Sequence, residues 1–361
     1  MSQSPTMRVP YAELLDALLR GTQHLGLRGD RAALCARLFA ETTRDGVYTH
    51  GLNRFPRFAE MVANGCIDVN AEPTPVAGVS APAAAPLAPA VASLAIERWD
   101  GHLGPGNLNA YAAMQRAIAL ARHFGLGGVA LANTNHWMRG GSYGWLAADS
   151  GVFALCWTNT LANLPAWGAA TPTLGNNPLV VAIPRPATPD RPTAHVVLDM
   201  AMSQFSYGTP AAYQARGALL PVPGGYDAAG ELTRDPAAIE ASQRALAIGY
   251  WKGSGLSLVL DMLAAMLSGG RAAHQIPRES TRESGVSQIF LAIDPSSFAA
   301  RPDLDRIANG IVASLSAAAP VDPARPVRYP GQQTLQLREE NLRLGVPVQP
   351  ETWAKLLSLS F

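Results

Sequence analysis

The sequence predicts an α/β chain: a mixed, partly parallel sheet with helices packed against it, set between helical stretches at either end. Three observations lead there. Short apolar runs of strand length recur in GLGGVALAN, GVFALCWTN, LVVAIP, HVVLDM and SQIFLAI. Stretches of helical periodicity, AYAAMQRAIALARHF and LSLVLDMLAAMLSGG, lie between some of those runs. The 361 residues, 48% of them hydrophobic, suffice for one large or two ordinary domains with a substantial core.

Taken in order, Pro10 sits where a first helical residue belongs, and Leu14, Leu15, Leu18 and Leu19 follow at helical spacing. Asp30 reads as the N-cap of a second helix that turns Leu34, Leu38 and Phe39 inward and stops at Gly46. A third helix follows Asn53 over RFAEMVANGC and ends near Gly65, so that residues 1–75 form a small helical unit. Residues 72–92 are rich in Pro and Ala, and read as an extended linker or surface loop. The strand-forming part is expected over 93–330. In the tail, 331–361, TLQLREENLRLG and PETWAKLLSLS are helical again.

Composition excludes several roles. With 28 Lys and Arg against 27 Asp and Glu there is no electrostatic footprint for nucleic acid or an acidic membrane. Cys35, Cys66 and Cys156 are odd in number and far apart, so neither a disulfide framework nor a thiolate zinc site is indicated. The seven histidines show no H-E-x-x-H or paired-ligand spacing, and no metal is expected. MSQSPTMRVPYAELL lacks the apolar core of a signal peptide. The tempting run PVAGVSAPAAAPLAPAVASLAI is broken by four prolines, so no membrane span is expected and a soluble cytoplasmic protein is the reading.

Chemistry-bearing residues gather in five stretches. In GVYTHGLNRFPRF, His50 is a natural proton donor near neutral pH, and Gly51 allows a tight turn beside it. Arg54, four residues on, shares a face with His50 if the next helix begins early, and its planar fork grips carboxylates. The bland reading is a capped helix start. NTNHWMRGGSYGW places His136, Arg139 and Ser142 at a strand's end, where ligands of such sheets bind; otherwise it is a polar loop anchored by Trp137. The loop from Trp157 onward, with Thr158 in WTNTLANLP, offers hydroxyls and amides. Asp199 ends the HVVLD run, as either a cap or a site carboxylate. In GYWKGSGLS, Lys252 lies beside glycines at a helix start, a weak phosphate-binding signal. No strand is followed by G-x-G-x-x-G, so any dinucleotide is held without the Rossmann fingerprint.

Together GVYTHGLNRFPRF, NTNHWMRGGSYGW, WGAATPTLGNNPLVVAIP, DMAMSQFSYG, GYWKGSGLSLVLDM and GVSQIFLAID resemble the malate/L-lactate dehydrogenase-like NAD(P)-dependent oxidoreductases, which lack a Rossmann fold. The resemblance runs from about residue 10 to the C-terminus. It implies a discontinuous helical domain built from both chain ends, with 331–361 returning to 1–75, beside the larger α/β domain. It implies a homodimer, and NAD(H) or NADP(H) as cofactor, NADH being taken first. His50 matches the family's proton donor. The nucleotide-contacting segments match His195, Val196, Val197, Leu198, Asp199, Met200 and Ala201, then Trp251 and Lys252, then Gly331, Gln332 and Gln333. Thr49 stands where the family commonly has Ser, which keeps the hydroxyl and adds a methyl. The segments 72–92 and PRPATPDRPTAH are longer than in relatives.

The mechanism so implied sends a hydride to a 2-keto carbon while His50, as imidazolium, protonates the oxygen and Arg54 holds the carboxylate. Asp199 or His136 orients His50, and Thr49, His136, Arg139 and Thr158 face the substrate. Hydroxyls and amides in the polar loops favour a sugar-derived keto acid. Activities on malate, lactate, ureidoglycolate or cyclic imino acids stay open within the same family. Two rivals are a nucleotide-independent lyase using His50 and Asp199, and a non-catalytic sugar-acid binding protein.

Overall fold

The structure is a computed structural model that describes residues 7–77, 95–187, 193–206 and 208–359. Its centre is a seven-stranded sheet in the order Thr74–Pro75, Ile96–Asp100, Leu126–Asn135, Ser284–Ile293, Phe153–Thr158, Leu179–Ile183, Val196–Met200. The sheet is mixed, but only Ile96–Asp100 and Leu126–Asn135 pair in parallel. Parallel neighbours need a long crossover, and the helix Gly106–Phe124 supplies it. All other pairs in this sheet are antiparallel.

Side chains alternate across the sheet with period two. Val129, Leu131 and Phe290 face the Gly106–Phe124 helix, whose Ala110, Ala113, Met114 and Ala117 are fully buried. Small residues let this helix lie close: a Cβ at Gly127 would come within 2.2 Å of the Ala117 carbonyl. Ala130 and Ile289 face the other way, against Leu260 and Ala264 of the helix Trp251–Ser268.

A second core joins the helices Tyr11–His24, Gly29–Arg44 and Phe55–Ala63. Met7–Val9 pairs antiparallel with Val346–Val348, and Trp353 and Leu356 of the helix Pro350–Ser358 pack into this core. The ends of the first two helices differ from expectation. Pro10 precedes Tyr11–His24 as its cap. Asp30 lies inside the first turn of Gly29–Arg44, where its charge complements the dipole, while Arg28 caps it. The expected linker 72–92 begins instead as a sheet edge, Thr74–Pro75 against Trp99 and Asp100. Its remainder from residue 78 lies outside the described residues, as do 188–192 of the second long segment.

Candidate active site

Two short 3-10 turns, Tyr48–His50 and Leu52–Arg54, connect the second and third helices. They are nailed down from Gly29–Arg44: the Thr43 hydroxyl accepts the Leu52 N–H at 2.8 Å. Gly51 presses so close that a Cβ would stand 2.2 Å from that hydroxyl, so only glycine fits. Beneath them Phe55 and Phe58 are buried, and Phe55 meets Phe39 edge-on at 5.2 Å. The expected single helical face for His50 and Arg54 does not form. The backbone breaks at Gly51 and the α-helix starts only at Phe55, yet both side chains still line one cleft of about 1240 Å³.

His50 stacks on His136 with ring centroids 5.8 Å apart and 18° between planes. His136 follows directly on the strand Leu126–Asn135, and the Asn135 amide fixes that end by donating to Leu103 O at 2.7 Å. The His136 Nδ1 accepts the Met138 N–H at 3.0 Å, so its neutral ring carries the proton on Nε2. Thr49 Oγ1 lies 3.0 Å from His50 Nδ1. The extra methyl of Thr49 packs on Gly208, where a Cβ would approach it to 2.5 Å.

Burial, then Arg54 and Arg139, pull the His50 pKa down from 6.5 to about 4. The resting ring is therefore neutral. Burial and then Arg54, His50 and Arg57 hold His136 well below its ordinary value too. Arg54 is itself lowered to about 10 by burial and Arg57, against the opposing pull of Glu283, whose Oε2 is 3.8 Å away.

Arg139 reaches the cleft with one nitrogen already committed, Nη1 donating to Asp45 at 2.8 Å. Asp45 is buried and also accepts from Arg338 at 2.8 and 2.7 Å and from Arg44 at 2.8 Å. Burial would raise its carboxyl, but Arg338, Arg139 and Arg44 hold it well below the usual carboxylate range. Arg338 also lies over the Trp145 ring at 4.9 Å.

Asp199 acts at a helix start and also borders the cleft. Its Oδ2 accepts the Gly141 N–H at 2.7 Å, at the start of the helix Gly141–Asp149. Asp199 is open to the cleft, and the low-dielectric surroundings raise its carboxyl pKa against Arg139 and the Gly141 N–H. That hydrogen bond goes to Gly141 and not to His50, so of the two expected orienting groups it is His136 that touches the ring.

Val197, Leu198, Asp199, Ala201, Gly331 and Gln333 line the same cleft. The Val197 N–H donates to Pro330 O at 3.0 Å, which joins two of the expected nucleotide segments. Gly331, at φ +94°, is needed there because a Cβ would lie 3.1 Å from the Val197 nitrogen. It caps the helix Gln332–Leu344, whose N-terminus has no side-chain cap and turns Gln333 and Thr334 to the cleft. Arg328 lies on the same wall. An uncapped helix start, a close-packed glycine and an arginine fit an extended anionic group such as a dinucleotide's diphosphate.

Other expected residues lie elsewhere. His195 is buried off the cleft, accepting the Arg185 N–H at 2.9 Å, with Nε2 3.1 Å from Asp149. Val196, Met200, Gln332 and Thr158 are not among the lining side chains; the Thr158 hydroxyl donates to the Asn159 carbonyl at 2.8 Å. Trp251 and Lys252 open the helix Trp251–Ser268 on an exposed face away from the cleft. Asp45 and Arg57 stand out in sequence only as polar neighbours of His50 and Arg54 in one short stretch, with no role assigned, and Glu283 and Arg338 do not stand out. Glu283 had one local signal, an acid directly before an apolar strand; Arg338, 293 residues from Asp45, had none. Among the described residues no cluster of His, Cys, Asp or Glu could hold a metal, and no helix is long and apolar enough to cross a membrane.

The family model for malate/L-lactate dehydrogenase matches residues 9–357. The 2,3-diketo-L-gulonate reductase of Salmonella paratyphi A is 42% identical over 353 residues, 98% of this chain and 100% of that protein. The crystal structure of Δ1-piperideine-2-carboxylate reductase from Pseudomonas syringae superposes with a TM-score of 0.82 at 26% identity, over 98% of this chain and 100% of the other. The malate dehydrogenase of Entamoeba histolytica, at 21% identity, shares the fold with a TM-score of 0.87 over 99% and 98% of the two chains. On a match that spans nearly its whole length, the chain belongs to the malate/L-lactate dehydrogenase family.

Proposed function

We propose that the protein reduces the 2-keto group of a sugar-derived keto acid, converting 2,3-diketo-L-gulonate to 3-keto-L-gulonate. The observation that carries this reading is one cleft holding a stacked imidazole, His50, beside Arg54, whose guanidinium has no hydrogen-bonded acceptor among the described residues. The full-length similarity to a reductase of that substrate supports it. Family membership implies a nicotinamide cofactor.

A reduced nicotinamide, when bound, supplies the hydride that adds to C2. Val197, Leu198, Ala201, Gly331 and Gln333 would hold the cofactor along the wall described above, with Arg328 toward its phosphates. Arg54 fixes the substrate carboxylate, which sets the adjacent carbonyl against His50. The carboxylate also cancels part of the positive field that, together with burial as the larger cause, keeps His50 neutral. His50 thereby gains a proton and gives it to the oxygen that becomes the hydroxyl. Each turnover consumes one proton, and His50 returns to its neutral state. Thr49 holds the other ring nitrogen, and His136 stacks beneath.

The protein is further proposed to act as a homodimer. The helix Trp251–Ser268 exposes Trp251, Val259, Met262 and Met266, which is 74% exposed, an apolar face that a second copy would cover. Sedimentation of wild type and Val259→Asp tests that assembly: a monomeric wild type removes it.

The activity is tested by kcat/KM on a panel of keto and imino acids with NADH and with NADPH, repeated with Arg54→Met. The sugar acid is expected to exceed pyruvate, and Arg54→Met to lower kcat/KM by about 10- to 100-fold. A cyclic imino acid or pyruvate ahead of every sugar acid refutes the substrate. Unchanged kcat/KM in Arg54→Met refutes the carboxylate role.

A further inference from the structure

We infer that Arg57 selects the part of the substrate beyond C2, by donating to an uncharged keto or hydroxyl oxygen there; this rests on the reductase reading above. Arg57 sits in the first turn of Phe55–Ala63, three residues after Arg54, so both guanidinium groups project from neighbouring positions into one cleft. Its Nε and Nη2 are closed off from solvent without a hydrogen-bond partner among the described residues. An unpaired buried donor is destabilising, and a charged one more so.

The nearest acid does not relieve it. Glu283 acts electrostatically on both arginines. Its Oε1 accepts the Leu161 N–H at 3.2 Å, and its Oε2 stands 3.8 Å from Arg54. Glu60 also acts on Arg57 but is exposed and outside the cleft, so within the cleft Arg54, Arg57 and Glu283 leave one positive charge over. The keto acid's own carboxylate, held by Arg54, matches it. A second carboxylate would tip the group negative, so what Arg57 lacks is an acceptor without charge.

Its place in the cleft fits. The charges that depress His50 come from Arg54 and Arg139, whereas those on His136 come from Arg54, His50 and Arg57. Arg57 lines the same cleft as His136, whose ring stacks on the imidazole assigned to the reacting carbonyl. A 2-keto acid with an alkyl chain brings no oxygen there, and a 2,3-diketo sugar acid brings several.

The experiment compares wild type, Arg57→Met and Arg57→Lys by kcat/KM on 2,3-diketo-L-gulonate, 2-oxobutanoate and oxaloacetate. In Arg57→Met the preference for the sugar acid over 2-oxobutanoate is expected to fall by about 10- to 100-fold, as for a lost charge-assisted hydrogen bond. Arg57→Lys should recover part of it. A merely structural role lowers all three substrates together and leaves their ratios in place, which overturns the inference. Oxaloacetate preferred by wild type and losing most in Arg57→Met shows that Arg57 holds a second carboxylate, which also overturns it. Failure of wild type to reduce any of the three overturns the reductase reading and this inference with it. Unmoved ratios in an active enzyme overturn the inference alone.

Discussion

Two stretches of this chain look alike in sequence and end in opposite surroundings. GVYTHGLNRFPRF and GYWKGSGLSLVLDM both set glycine beside polar and aromatic residues ahead of an apolar helix. In the first, Leu52, Phe55 and Phe58 are buried, and the turns carrying His50 and Arg54 are held against Thr43. In the second, Trp251 is 63% exposed and Lys252 lies in the open. A charged side chain becomes part of a site when its apolar neighbours are anchored within the chain, because burial fixes its direction and removes competing water. Where the neighbours are exposed, the same residue types define a surface instead.

The largest effect should come from the anchored stretch. His50→Asn is expected to lower the reduction rate by about 10² to 10⁴, the usual worth of a positioned proton donor. Nucleotide affinity should change little, because His50 is not among the residues proposed to hold it. Steady-state turnover and a nucleotide titration read the two separately. Near-normal turnover in a folded variant would pass the proton role to His136, whose Nε2 carries the proton in the neutral ring.

Stability should separate the stretches almost as clearly. Phe55→Ala removes a fully buried ring and is expected to cost about 3 to 5 kcal/mol. Met266→Ala, on the exposed helix, should cost no more than about 0.5 kcal/mol in dilute protein. Urea unfolding of both variants checks the contrast. A large, concentration-dependent loss in Met266→Ala would mean that a second copy covers this side chain at the concentration used.

His50 also makes the anchored stretch sensitive to pH. Its folded pKa, about 4, lies below the unfolded value of 6.5, so between these values the unfolded chain binds a proton that the native one refuses. The stability tied to neutral His50 is present above pH 6.5 and is lost as pH falls toward 4. Lowered His136 acts in the same direction. Melting temperature should therefore decline over this window, less steeply in His50→Asn. The same field predicts proton uptake when a carboxylate settles at Arg54. Calorimetry with oxalate in buffers of different protonation enthalpy measures it, and binding heats independent of buffer would refute it.

What could be read from the sequence follows from the range of the interactions. The strands were legible because an apolar run bounded by turn residues is a local signal. Their order was not: Ser284–Ile293 inserts between Leu126–Asn135 and Phe153–Thr158, a pairing across more than a hundred positions. His50, Arg54, His136 and Arg139 were legible as polar residues at a turn and a strand end. The Asp45–Arg338 pair that fixes Arg139 was not, since its members lie 293 residues apart. Arg57 was visible in the same polar stretch, but its role was not, because an arginine on a helix ordinarily faces water. The open face of Trp251–Ser268 was hidden for another reason. An apolar helix reads the same whether its partner lies in the same chain or in another.

That last ambiguity gives the smallest expected effect and the sharpest test of the comparison. Lys252 is exposed at the head of the apolar face proposed to meet a second copy, and it does not line the cleft of its own chain. If it touches nucleotide, it does so only in the assembled dimer. Lys252→Ala is then expected to weaken nucleotide binding by about tenfold or less, since an exposed lysine is partly screened, and raising the salt should shrink the difference. Placing the substitution on a Val259→Asp background separates the two stretches completely. A chain held monomeric should bind nucleotide with the same affinity whether residue 252 is Lys or Ala. A loss of affinity that persists in the monomer would bring Lys252 into its own cleft, and equal affinity in the dimer would remove it from nucleotide binding altogether. Either result would redraw the line between the anchored stretch and the exposed one.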